Sequence, residues 1–179
     1  MVTPRTKRQR RARVLRRTRR LHRWSGLTLM LCFVVVGVTS VLLGWKKESA
    51  YLQPPTQRST VGAEVAWLPV EELLARAREA TLREGLAEPE IDRLDLRPDR
   101  GVVKVRFSSG DWEIQLDGRS GAVLSVGKRR SDLIERIHDG SVLGGVFKLV
   151  YSTVLGLSLL VFTASGFWLW YGPRRMRRS

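Results

Sequence analysis

The sequence has little of what enzymes and metal proteins are built from. One cysteine, Cys32, stands among 179 residues, with two histidines, His22 and His138. A lone thiol cannot close an internal disulfide and matches no metal-ligand spacing. Cys32 sits inside an apolar run, where it reads as a small apolar residue facing lipid or a partner helix. No glycine-rich phosphate loop is present: Gly118, Gly121 and Gly127 serve turns, and Gly144-Gly145 abuts an apolar run. Catalysis needs a nucleophile, an acid/base pair or a metal cluster. Asp92, Asp95, Asp99, Asp111 and Asp117 lie on strands and turns, all but Asp95 directly beside Arg or Gly, as charges on a solvated face do. Asp117 reads as a turn-fixing residue. The expectation is a protein that is not an enzyme, with no catalytic residue, no metal and no cofactor.

Acid is missing from both ends. All seventeen Asp and Glu lie between Glu48 and Asp139. Eleven of the 32 Lys and Arg fall in residues 1–23, sixteen in 46–139, one at Lys148 and four in 172–179. The middle is therefore nearly neutral, and the two ends carry almost all of the +15 net charge. A pI of 11.3 would ordinarily suggest nucleic acid. Here the arginine run abuts an apolar run directly, and a polybasic juxtamembrane segment is drawn to anionic lipid headgroups. It also has no aromatic before Trp24, so it lacks the stacking platforms of single-strand binders. The expected partners are the bilayer and its anionic headgroups, not nucleic acid.

Two long apolar runs stand just outside the acidic middle. Residues 24–45 and 149–170 each contain 22 residues without a charge, and about 20 suffice to cross a hydrocarbon core. Trp24 and Trp45 bracket the first, and Phe167, Trp168, Trp170 and Tyr171 form an aromatic belt at the end of the second. A cleaved signal peptide would have a shorter apolar stretch, so the first run reads as an anchor. Gly172-Pro173 is expected to end the second helix, and Lys148 to snorkel to headgroups. Ser40 with Gly44 and Ser152 with Gly156 are small residues at helix-packing spacing. They suit a helix hairpin or a homodimer face, or reflect only the ordinary frequency of Gly and Ser in membrane helices.

Between the runs, residues 46–62 read as a Pro/Thr/Ser linker. Residues 69–85 predict a helix, with Pro69 at its start, Gly85 at its end, and Val70, Leu73, Leu74, Ala77, Ala80 and Thr81 on one face. Strands follow at 91–96, 103–107, 112–117 and 123–126, separated by turns at Pro98–Gly101, Ser109-Gly110 and Asp117–Gly121. Period-two alternation predicts one buried sheet face. Residues 131–137 predict a helix returning to the membrane, N-capped by Ser131. The fold class is α+β: two transmembrane helices flanking a small domain of one helix packed on an antiparallel β-meander. The segments are a basic tail 1–23, span 24–45, linker 46–62, domain 63–130, interfacial return 131–148, span 149–171 and basic tail 172–179.

The stretch 63–130 resembles a PepSY domain, with its helix and its meander closing on Asp117-Gly118-Arg119-Ser120-Gly121. Ser120 stands where that family usually has Thr. Leu21-His22-Arg23-Trp24-Ser25-Gly26-Leu27 and Ile137-His138-Asp139-Gly140 resemble the elements of PepSY-associated transmembrane helices. The likeness covers about residues 21–171. The Lys- and Arg-rich flanks of the two spans read as both termini cytoplasmic with the middle on the far side, and the likeness implies that the membrane is a bacterial inner membrane and the domain periplasmic. It also implies a non-catalytic binding or regulatory module that modulates a peptidase or another periplasmic or membrane partner. Trp67, Phe107 and Trp112 are the aromatic candidates for the partner surface, with core packing the alternative for Phe107 and Trp112. Larger relatives bind haem through membrane histidines, which makes His22 and His138 the cofactor candidates of the alternative reading, a haem-linked subunit of iron uptake or electron transfer. The two lie at opposite ends of a span about 33 Å long, so one haem could join them only in an oligomer. Otherwise each is an interfacial polar residue.

Overall fold

The computed structural model describes residues 7–86 and 90–178. The first six residues of the basic tail and Ser179 lie outside them. The element order is α1 (Lys7–Gly44), α2 (Val70–Arg83), β1 (Ile91–Arg97), β2 (Val102–Phe107), β3 (Trp112–Asp117), β4 (Val123–Lys128), α3 (Arg130–Asp139), a 3-10 turn (Ser141–Leu143) and α4 (Gly145–Arg178). The chain divides into two compact units, residues 1–39 with 137–179 and residues 40–136.

The first unit is a pair of helices long and apolar enough to cross a membrane, Ala12–Gly44 and Gly145–Arg174. They run antiparallel. Leu15 packs beside Gly172 near one end, and His22 bonds Ser165 two turns further in. Phe162 is the wedge between them. Its ring meets the edge of His22 (centroids 5.0 Å) and of Phe33 (5.6 Å). A Cβ at Gly26 would lie 3.4 Å from it, so the glycine of the Trp24-Ser25-Gly26 element leaves room for the ring. Both helices overrun their apolar cores: α1 takes in the arginine run, and α4 passes through Pro173. The expected stop at Gly172-Pro173 is thus corrected. A helical proline frees carbonyls one turn back, and Arg174 donates to the Trp170 carbonyl (2.8 Å) while stacking on its ring (4.3 Å).

The second unit is α2 on a four-stranded antiparallel sheet in the order β1-β2-β3-β4. The meander needs only short turns because each strand pairs with the next. Leu73, Ala77 and Ala80 of α2 meet Val103, Val105 and Phe107 of β2 and Ile114 and Leu116 of β3. This is the alternation expected of a strand with one apolar face. Val70, assigned above to the apolar face of α2, is exposed, because it is the first residue of the helix and lies at its end. Asp117 closes the β3–β4 turn as expected, accepting the amides of Arg119 (2.9 Å) and Ser120 (3.1 Å). Glycine is required twice in that turn. Gly121 has φ 71°, and a Cβ on Gly118 would sit 2.5 Å from the Trp67 ring. Ser131 is not an N-cap: it is the second residue of α3, fully buried, and its amide bonds the Leu52 carbonyl (2.9 Å).

Candidate functional site

The sheet has a second face, and it is not the solvated one that alternation implies. Arg93, Asp95 and Arg97 of β1, Lys104 and Arg106 of β2, and Glu113, Gln115 and Asp117 of β3 share it by register. Yet Lys104 is 2% exposed, Glu113 1%, and Gln115 and Asp117 0%. The cover is the segment read above as a linker. Pro55 accepts from Gln115 Nε2 (3.1 Å), and the Gln57 amide donates to Gln115 Oε1 (2.8 Å). Ser59 Oγ (2.7 Å) and the Thr60 amide (3.2 Å) both donate to Asp117 Oδ2. Pro54 rests on Gly127, where a Cβ would stand 2.8 Å away. Residues 53–60 are therefore a wall of the domain and not a tether to it.

A buried charge must be met by opposite charge and by hydrogen bonds. Glu113 Oε1 accepts from Gln115 Nε2 (2.8 Å) and faces Lys104 Nζ (3.4 Å), while Oε2 accepts from Arg129 (2.7 Å). Arg129 also reaches Asp132 (3.2 Å), which in turn pairs with Arg106. Burial pushes the Lys104 ammonium pKa down, against the opposing pull of Glu113. Burial pushes the Asp117 carboxyl up, and its four hydrogen bonds overcome that and hold it below the usual carboxylate range. Arg136 forks onto Asp111 (2.7 and 2.9 Å). That pair steadies Asp111, whose φ of 55° is left-handed for a non-glycine residue. No buried side-chain polar atom among the described residues is left without a partner.

The cover stops short of β1. Between the wall at 53–56 and the polar side of β1 lies a trough of about 760 Å³. Lys104, Arg106 and Arg129 line its inner part, Arg93, Arg97 and Arg100 line the β1 side, and Lys46 and Lys47 complete the lining. Eight of its fifteen lining residues are cationic and two, Asp95 and Asp99, are acidic. Arg93 stands directly across from Arg106 in the β1–β2 ladder. Like charges in that position repel.

The aromatic candidates separate. Phe107 is 6% exposed and belongs to the core. Trp67 and Trp112 are half-buried against the core, and each carries a cation over its ring: Arg119 at 5.7 Å and Lys128 at 4.9 Å. The small-residue pairs are not what holds α1 to α4. Ser40, Gly44, Ser152 and Gly156 are exposed, and a Cβ on either glycine would meet nothing within 4 Å. The helices touch through Gly26, Phe33, Phe162 and the histidine contacts instead.

The histidines hold equivalent places at the two ends of the first unit. His22 Nδ1 lies 2.7 Å from Ser165 Oγ, and His138 Nδ1 lies 2.8 Å from Thr39 Oγ1. Each hydroxyl already donates to its own helix backbone, Ser165 to Phe162 and Thr39 to Val35. Nδ1 of each imidazole is thus the ring nitrogen engaged within the first unit. From His22 to Thr39 is 17 residues, about 26 Å along α1. Within one chain the two rings cannot meet at one iron, so a bis-histidine haem does not fit a single copy. Beside His22 a cavity of about 390 Å³ is lined by Arg23, Gly26, Phe33, Leu159 and Phe162. Lys148 does not simply snorkel: it pairs with Asp139 (2.7 Å). Burial raises the Asp139 pKa, but Lys148 and Ser141 outweigh it and hold the value at about 2.

The buried layer around Glu113 predicts unequal costs. Glu113→Ala strands Lys104, leaves Arg129 with Asp132 alone, and should cost about 3–5 kcal/mol, as removal of one partner from a buried pair does. Glu113→Leu combined with Lys104→Met should cost clearly less, since fewer charges then lack partners. Chemical denaturation of the full chain in micelles checks the order, and equal costs would show that the pair is not coupled.

The family profile described as PepSY-associated TM region matches residues 19–179. It therefore runs from just before the Leu21-His22-Arg23-Trp24 element through both helices, the sheet and the arginine-rich end. A comparison with curated proteins gave no match. With two membrane-length helices enclosing a one-helix, four-strand domain and a family match over nine-tenths of its length, the chain belongs to the PepSY-associated transmembrane family.

Proposed function

We propose that this membrane protein is a non-catalytic anchor that displays its α+β domain on the outer face of a bacterial inner membrane, where the domain binds and regulates a partner. The observation that carries the proposal is the pairing of the two helix ends. Leu15 of α1 lies beside Gly172 of α4, so the end rich in arginine on α1 and the arginine-bearing end of α4 share one side. Lys and Arg flanking a span stay on the cytoplasmic side, and the domain joins the opposite ends of both helices. The partner is a periplasmic or membrane protein, a peptidase among the classes the family resemblance suggests. Trp67 and Trp112, half-exposed under Arg119 and Lys128, are the aromatic contacts on offer, since aromatics with a cation at hand are favoured at interfaces. The basic tail engages anionic headgroups.

A second reading is supported by the matched histidine geometry. Nδ1 held by a hydroxyl leaves Nε2 directed to a ligand, as in metal-ligating histidines. A haem shared between two copies, through paired His22 or paired His138, would supply one-electron chemistry to a subunit of iron uptake or membrane electron transfer.

Both readings have direct tests. With Cys32→Ala as background, Ser109→Cys should react with a membrane-impermeant maleimide in intact spheroplasts, and Gln9→Cys only after lysis. The reverse pattern rejects the display reading. Protein purified from haem-replete cells should show a Soret band, abolished by His22→Ala or His138→Ala, if the second reading holds; a spectrum without the band rejects it.

A further inference from the structure

We propose that the trough between residues 53–56 and β1 is a binding site for a phosphate-bearing anion. The trough's lining is cationic while most of the carboxylates that balance it lie outside that lining. Lys46 pairs with Glu135, Arg93 with Asp92, Arg106 with Asp132, and Lys104 and Arg129 with Glu113. None of those four acids lines the trough. Asp95 and Asp99 are the two acids within it, and a concave surface with an excess of one sign and a protein wall behind it focuses potential and concentrates counter-ions.

Three features point to phosphate chemistry rather than to a general positive surface. Arg93 and Arg106 oppose each other across the β1–β2 ladder, each beside one carboxylate, Asp92 and Asp132, and an anion between the two guanidiniums would relieve the remaining like-charge repulsion. Planar guanidiniums bind phosphate oxygens in pairs, and Arg97 and Arg100 continue the row on the same side, Arg97 bonded to Asp95 (2.7 Å) and Arg100 beside Asp99 (3.8 Å). Finally, Lys46 and Lys47 follow Trp45, the last residue of the first apolar run. Two of the trough's cations are therefore the residues that flank a membrane span in the sequence, where Lys and Arg meet lipid headgroups. The volume of about 760 Å³ exceeds one phosphate and admits a diphosphate or a phospholipid headgroup.

The site rests on the display reading only for the side from which the anion arrives. Nanodiscs expose both faces, so the binding assay and the labelling assay can fail separately. Full-length protein in phosphatidylcholine nanodiscs should bind inorganic pyrophosphate saturably, and the affinity should fall with added salt. Arg93→Ala with Arg97→Ala should weaken it about tenfold or more, as loss of charge-assisted phosphate contacts does. Arg78→Ala with Arg83→Ala, on α2 and outside the trough, should not, and both variants retain the basic tail. In a second arm, wild-type protein is purified from membranes containing phosphatidylglycerol and its bound lipid is weighed by native mass spectrometry. Retention lost only in the Arg93/Arg97 variant identifies a lipid headgroup as the source, and pyrophosphate binding without such retention identifies a soluble phosphate. Equal binding by wild type and the Arg93/Arg97 variant in both arms overturns the proposal. A thermal-unfolding midpoint unchanged by the two substitutions shows that lost binding is not lost folding.

Discussion

A carboxylate shut away from water dictates its surroundings, and Glu113 is 1% exposed. Left alone it would cost several kcal/mol. It is met by Lys104 from the next strand, Gln115 two residues on, and Arg129 from the residue preceding α3. Each of those contacts fixes something larger. Gln115 holds the wall at Pro55 and Gln57, Arg129 sets the start of α3 through Asp132, and Lys104 forms part of the trough. The polar layer therefore joins the segments that lead from α1 and toward α4 onto a single sheet. A sheet with one apolar face and one bonded, charged face has no free side on which a tether could wander.

The same economy appears between the membrane helices. Burial of apolar surface does not drive association in lipid, so contact geometry and hydrogen bonds must. Phe162 supplies the contact, against Gly26 and Phe33. His22 supplies the bond from α1 to α4, and about 26 Å along α1 His138 of α3 supplies a second, to Thr39. Both polar ties lie near the ends of the pair, where polar groups are least costly.

Much of this was legible in the residues. The spans, the α2 face and the four strands followed from uncharged run length and from two periodicities, because these report burial against lipid or against one core. Residues 53–60 were not legible as a wall, since Pro, Thr and Ser describe a loop equally well whether it crosses solvent or a sheet. The burial of Glu113 and Lys104 was hidden for a related reason: alternation says which face a residue takes, not what covers that face. A signal was present in the strands themselves, where Lys104 and Arg106 alternate with apolar residues just as Gln115 and the oppositely charged Glu113 do. Helix ends were misread where a side chain took over from the backbone, at Pro173 with Arg174 and at the buried Ser131. The trough was invisible because its cations come from four separate segments.

The central claim is that residues 53–60 are fastened to the sheet by its buried polar layer. Hydrogen exchange of the full chain in nanodiscs addresses it at the amides of Gln57 and Thr60, which donate to Gln115 and Asp117. The account predicts protection at both amides comparable to that of β3. Exchange at the rate of an open loop, with β3 still protected, would contradict it.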